Sequence, residues 1–285
     1  MAAGDSGDFA GGLLEVIESE AVIKFSEANV TMPLVTVKGE PKADQITFIA
    51  YNAGSDAITS ADVAATAEGT VTPSTALDTE KKTATLDMYS VMAPMYDEAK
   101  LSNADDIAAN TGALIGNSLS AKADALLNAL FDGFSNTAGA NDAALSVDNL
   151  FSALSLLKQN SAIGQPSAVL DPRQIWGTYG VHNDLVTAAQ FAGAGVQDEG
   201  ARTGFVSQIA GINMHSSPEF TVASNAVKGG VFVPGALGMG YAGEMLRVEI
   251  YREGNYLRDN IIGSGFWGVT EIIDGWGVEI HTKVS

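Results

Sequence analysis

The residues of this chain that could do chemistry are few and scattered. Its three histidines, His182, His215 and His281, stand far apart, and none falls into HExxH or another spacing that would bring two ring nitrogens onto one metal ion. Each reads as a surface or hydrogen-bonded structural histidine. The absence of cysteine removes disulfides, thiolate catalysis and cysteine-ligated zinc or iron–sulfur centres together. Two adjacent carboxylate pairs, Asp105 with Asp106 and Asp198 with Glu199, offer general acid/base or divalent-cation chemistry. Neighbouring residues on a helix point in different directions, so the first pair reads better as a complement to a helix dipole. The second lies in AGAGVQDEGARTG, a loop-like stretch. No GxSxG elbow and no GxxxxGK[ST] phosphate loop occurs. Gly263, Gly265 and Gly268 in GSGFWG satisfy GxGxxG to the letter, but the dinucleotide motif needs a helix next, and the following GVTEIIDGWGVEI is strand-like. Close backbone approach or tight turns account better for these glycines. Asn29-Val30-Thr31 matches a glycosylation acceptor, which has no consequence without an export signal. No catalytic, cofactor-binding or metal-ligating residue is assigned, and an enzyme is not expected.

The elements that would have to position such groups point instead to a protein whose product is a shape. At 285 residues and 46% hydrophobic content the chain can bury a real core of one large or two small domains. Its formal charge of −19 repels phosphate backbones and argues against tight, direct nucleic-acid binding. No apolar run reaches the roughly 20 residues of a membrane span, and the acidic start, without Lys or Arg before Lys24, lacks the basic segment of a secretory or mitochondrial signal. Residues 1–35 read as an acidic arm with a short helix around Gly12 to Glu20 and an extended piece through Met32 and Pro33. Gln45 to Tyr51 and Thr83 to Pro94 read as two strands joined by a projecting loop of small and polar residues. The stretch from about Thr36 to Ser90 is poor in large apolar residues and is expected to need a surface supplied by a partner, most simply another copy of the chain.

A long helix follows, with Ser102 as N-cap, Asp105 and Asp106 in its first turn and Gly133 as its stop. Its apolar stripe runs through Ile107, Thr111, Leu114, Ile115, Ser118, Leu119, Lys122, Leu126, Leu127 and Leu130, and about 28 residues at ~1.5 Å each give a rod of roughly 40 Å. Val147 to Gln159 carries a second helical pattern. PSAVL reads as a buried strand, and DPRQIWGTY as a cap followed by a helix containing Ile175, Trp176 and Tyr179. Val206 to Met214, Gly230 to Pro234, Met245 to Tyr251 and WGVEIHTKV read as short strands. The class is α+β, with helices and strands segregated along the chain.

In the order of these pieces the chain resembles the major capsid proteins of tailed bacteriophages, the Hong Kong 97 capsid fold. The stretches that carry the likeness are MAPMYDEAKLSNADDIAANTGALI, SAVLDPRQIWGTY, SQIAGINMHSSP and the run from RVEIYREGNYLRDN into a final strand. The resemblance implies an N-terminal arm at 1–35 and an extended two-stranded loop at 36–87. It further implies a peripheral domain at 88–146 with a spine helix at about 102–131, an axial domain at 147–245, and a return to the peripheral domain at 246–285. The implied function is the shell of an icosahedral phage head, built from pentamers and hexamers of the chain in the host cytoplasm and enclosing double-stranded DNA without binding it tightly. A portal and a decoration or cement protein are implied as further partners. A separate scaffolding protein is expected because no long domain precedes the arm, and no membrane is involved.

Asp56, Glu68, Lys81, Lys82, Arg252 and Arg258 are the candidate inter-subunit contacts. Some relatives crosslink subunits through Lys and Asn; Lys81, Lys82, Asn255 and Asn260 are placed for this, but nothing marks a bonded pair and no crosslink is expected. Two other readings stand beside the phage shell. One is an encapsulin-like cellular nanocompartment, and the other is an acidic metal-dependent enzyme built on Asp105, Asp106, Asp198 or Glu199.

Overall fold

The computed structural model describes residues 6–51, 79–182 and 208–284, with side chains from Leu14 onward except at residues 51 and 99–106. In chain order, α1 (Ser6–Ala28) leads through a 3-10 turn at Met32–Leu34 into β1 (Thr36–Glu40), β2 (Gln45–Tyr51), β3 (Thr79–Thr85) and β4 (Asp87–Tyr96). The long α2 (Asp97–Ala129) ends in a 3-10 turn at Leu130–Gly133. Then come β5 (Thr137–Gly139), α3 (Val147–Gln159), β6 (Ser167–Leu170), α4 (Pro172–Trp176), β7 (Gln208–Ile209), β8 (Ile212–Ser216) and β9 (Ala226–Phe232). The last strands are β10 (Leu237–Ala242), β11 (Arg247–Glu253), β12 (Arg258–Glu271) and β13 (Gly277–Lys283).

The strands form two larger sheets and a two-stranded ribbon. The five-stranded sheet centres on β12, which carries β4 along one edge and β11 followed by β10 along the other; β1 adds to β10 in parallel. Against it lies α2, with α1 on top of α2. Their shared core holds Trp267, which stacks on Tyr89 at 5.4 Å between ring centroids and meets Phe25 at 5.8 Å. The six-stranded sheet runs β5-β13-β9-β6-β8-β7 and packs α3 and α4 around Leu150, Leu157, Ile175, Val231 and Ile280. The short hairpin between β7 and β8 turns through Ala210 and Gly211, both at positive φ, which twists with the strands it joins. The ribbon pairs β2 with β3, and Ile46, Phe48, Ala50, Ala84 and Leu86 make a third, small core with Ile272.

Several expected boundaries move. The helix expected at Gly12 to Glu20 spans Ser6–Ala28, because docking on α2 stabilises a segment whose own propensity is poor. Ser102 lies inside α2 rather than at its start: Tyr96 takes the cap position, and Asp97 and Glu98 fill the first turn that Asp105 and Asp106 were expected to fill. Thr83 to Pro94 is not one strand. The chain breaks at Leu86, whose N–H donates to the Asp44 carbonyl at 3.0 Å, so β3 stays with the ribbon while β4 crosses to the large sheet. The helix after Asp171 stops at Trp176, short of Tyr179. The C-terminal block does not return to one sheet either: β10, expected with the residues before 246, joins the five-stranded sheet, whereas β13 joins the six-stranded one. Finally, the stretch from Thr36 to Ser90 is not without a core of its own, since both of its described parts pack on the same subunit.

Candidate functional site

Among the described residues no group of three or more His, Cys, Asp or Glu side chains could hold a metal ion. His182 follows α4, His215 sits on β8 and His281 on β13. Burial pushes the His215 imidazole down from its ordinary value, favouring the neutral ring, and His281 Nδ1 stands 3.6 Å from Glu279. Asp105 and Asp106 fall in the body of α2, and Asp198 and Glu199 lie outside the described residues. The GxGxxG stretch is the middle of β12. Its glycines serve close approach: a Cβ at Gly263 would meet Ile115 Cγ2 at 2.2 Å, and one at Gly268 would meet the Thr85 carbonyl at 2.0 Å. Among the described residues the groups that could do chemistry are not assembled into a centre, and the fold builds three joints between its parts.

The first joint docks α1 on α2. Every fourth residue of α2 from Ala108 is small or short and polar: Ala108, Gly112, Gly116, Ser120, Asp124, Asn128. A Cβ at Gly112 would meet the Ile17 carbonyl at 2.5 Å and one at Gly116 the Ala21 carbonyl at 2.3 Å, so the two backbones run against each other with no side chain between. Further along, Asp124 is 2% exposed and has no basic partner among the described residues; its carboxylate accepts the N–H groups of Val30 at 2.9 Å and Thr31 at 3.0 Å. Asn128 accepts the Thr31 hydroxyl at 2.8 Å and donates to Ser217 and to the Glu219 carbonyl. Burial raises the Asp124 carboxyl above the usual range, while the backbone N–H groups it accepts pull the other way. The sequence reading missed this face of the helix. Its signal was the four-residue spacing of small residues, overlooked in favour of the apolar stripe, of which Ile115, Leu119 and Leu127 are buried but Leu114 is 66% exposed.

The second joint seats the β2–β3 ribbon on the large sheet. Ile46 and Phe48 lie over β10 where it has only Gly240 and Gly238; a Cβ at either would come within 3.0 Å of those side chains. Lys82 pairs with Glu80 at 2.7 Å on this ribbon, and Lys81 points outward on β3, exposed. Asp56 and Glu68 lie outside the described residues.

The third joint ties the start of α2 to the β11–β12 hairpin. Arg252 forks onto Asp97 at 2.5 and 2.6 Å and reaches Asp259 at 3.2 Å, while Arg258 pairs with Glu253 at 2.7 Å and covers the Tyr256 ring at 4.9 Å. Hydrogen bonds from Asn260 and Arg258 hold the Glu253 carboxyl below its ordinary range. Both arginines thus have partners in their own chain, and Asn260 is buried and bonded to Glu253. The structure brings Arg252 and Arg258 together but leaves Lys81 and Lys82 on a separate element.

No family model matches the sequence, and no curated protein does. Solved structures do. The capsid of cyanophage P-SCSP1u aligns with a TM-score of 0.65 at 18% identity, covering 90% of this chain and 89% of that one. The capsid of Ralstonia phage GP4 aligns at 0.65 and 12% identity over 88% and 87%. The head of Helicobacter pylori bacteriophage KHP40 aligns at 0.63 and 10% identity over 87% and 88%. At these identities the likeness is one of fold, and it spans nearly nine-tenths of each chain. The chain therefore has the capsid fold of tailed bacteriophages.

Proposed function

We propose that this chain is the major capsid protein of a tailed bacteriophage, assembling with copies of itself into an icosahedral head that encloses double-stranded DNA. The observation that carries the reading is the likeness to several phage shells over 87–90% of the chain. In this reading the five-stranded sheet with α1 and α2 is the peripheral part and the six-stranded sheet with α3 and α4 the axial part. Residues 52–78, which the ribbon carries, reach a neighbouring subunit. That segment holds Asp56, Asp62, Glu68 and Asp78 and no Lys or Arg. A segment so acidic would be steered and registered by basic groups on the neighbour more than it would gain affinity from them. Scaffolding, portal and decoration proteins are partners in the same reading, and the acidic charge lets packed DNA move along the wall without sticking.

Electron microscopy of the purified chain, alone and co-expressed with the gene neighbours that encode assembly factors, is expected to show closed shells. A permanently monomeric species under both conditions would sink the reading. Replacing residues 52–78 by a short turn, which keeps β2 and β3 whole, should leave a folded subunit that forms no closed shell. Normal shells from that variant would remove the segment from the assembly role.

A further inference from the structure

One buried side chain bonds to two distant parts of the fold at once. Thr31, where the chain leaves α1, donates its hydroxyl to Asn128 Oδ1 on α2 at 2.8 Å. The other end of the amide, Nδ2, donates to the Ser217 hydroxyl at 3.2 Å and to the Glu219 carbonyl at 3.0 Å. A carbonyl only accepts, so Glu219 fixes which end of the amide faces it, and the Thr31 hydroxyl is the donor to the other end. Ser217 and Glu219 belong to a strap, residues 217–220, that carries the chain from β8 toward β9. The Ser217 N–H ties this strap to the six-stranded sheet by donating to the Leu170 carbonyl of β6 at 3.1 Å. The Glu219 N–H in turn donates to the Ser217 hydroxyl at 3.3 Å. Thr31, Asn128 and Ser217 are all buried, which makes a broken bond here costly. A pocket of about 370 Å³ is lined by Glu219, Phe220 and Thr221 and by Ala125 and Ala129 of α2, so the strap has space into which to shift.

We propose that Asn128 couples the arm to the six-stranded sheet: the arm exit at residues 29–31 and the strap at residues 217–220 seat together, and undocking either one loosens the other. Asn128 is then a positioning residue, with its acceptor committed to the arm and its donors to the strap. The amide is planar, so one rotamer must serve both partners. When the Thr31 hydroxyl withdraws, Oδ1 stands unpaired in a buried site, and an amide that turns to relieve it carries Nδ2 away from Glu219. Loss of the strap bonds acts on Thr31 by the same route, because a coupling free energy is reciprocal. The coupling lies within one chain and does not rest on the capsid reading.

The test is amide hydrogen exchange in the full chain, comparing Thr31→Val, which keeps the side-chain shape and removes the hydroxyl, with Thr31→Ser, which keeps the hydroxyl. In Thr31→Val the amides of Glu219 and Phe220 should exchange about three- to tenfold faster than in wild type, while those of α3 keep their rates. Thr31→Ser should leave the strap near wild type. Ser217→Ala should quicken the Val30 and Thr31 amides by a similar factor, the reciprocal effect. Placed on Asn128→Ala, Thr31→Val should add nothing at Glu219 and Phe220, since the link is already cut. A Thr31 that acts only locally would quicken residues 29–34 and spare the strap. Unchanged strap exchange in Thr31→Val, an equal rise in α3, or the same increment on Asn128→Ala would each overturn the coupling. Exchange reads the single chain, so this result and the presence or absence of shells are decided separately.

Discussion

The arm seat on α2 and the ribbon seat on β10 solve one packing problem in opposite ways. Both use glycines at every second or fourth position to admit a neighbour closely. On α2 the neighbour is backbone: Ile17 and Ala21 carbonyls press on Gly112 and Gly116, and the exit of the helix is clasped by the buried Asp124 and Asn128. On β10 the neighbour is a pair of side chains, Phe48 and Ile46, over Gly238 and Gly240, and the ribbon carries a partly exposed Lys82–Glu80 ion pair. Backbone against backbone has no rotamers with which to relax, while side chains over glycine can shift. The difference teaches that the arm seat leaves little room for adjustment and the ribbon seat more.

Four substitutions test that contrast. The largest effect is expected from Gly116→Val, whose methyls would overlap the Ala21 carbonyl; undocking of α1 should cost about 3 kcal/mol in chemical denaturation, and a loss near zero would mean the arm seat is as compliant as the ribbon seat. Asp124→Ala comes next. Leaving the Val30 and Thr31 N–H groups without an acceptor in a buried site should cost about 2 kcal/mol, read in the same experiment and as lost exchange protection at residues 29–34. Gly238→Val should cost about 1 kcal/mol, because the Ile272 Cδ1 and the Phe48 ring edge that it would meet are side-chain ends that can shift, and should raise exchange in β2 and β3 while sparing α1. If it unfolded the whole subunit, the two seats would not be independent.

The smallest effect is a pH dependence. Because the Asp124 carboxyl is raised on folding, its contribution favours docking below an unfolded value of about 4 and is eroded as pH rises through the folded value. Asp124→Asn should remove that slope from the denaturation midpoint measured against pH. A slope that persists would assign it elsewhere.

Much of the fold was legible locally. Val147 to Gln159 forms α3 with Ser146 as its cap, accepting the Asn149 N–H at 3.2 Å. Asp171 caps α4, as the Asp-Pro start implied, and closes a reciprocal box with Gln174 that the sequence reading did not anticipate. Gln45–Tyr51 forms β2 over its full expected length. The central strands β10 and β12 were harder to see. Glycine lowers strand propensity, yet Gly238, Gly240, Gly263, Gly265 and Gly268 sit within them; the neighbours that require four of those glycines come chiefly from β2, α2 and β3, and Gly265 makes room for Trp267 and the Met245 carbonyl. The candidate contacts were legible only as charges. Sequence placed Arg252 and Arg258 near the end of the chain but could not show that Asp97, 155 residues from Arg252, occupies one of them.

By itself, then, the sequence determined where the capped helices α3 and α4 begin and the order of ribbon, long helix and strands. These follow from spacing and local hydrogen bonding, which act over a few residues. The tertiary structure alone decided that β3 and β4 part at Leu86, that β13 and β12 serve different sheets, and that the small-residue face of α2 receives the arm. Those outcomes depend on which distant surfaces meet, and a glycine or a buried aspartate shows its purpose only once the group that presses against it is in place.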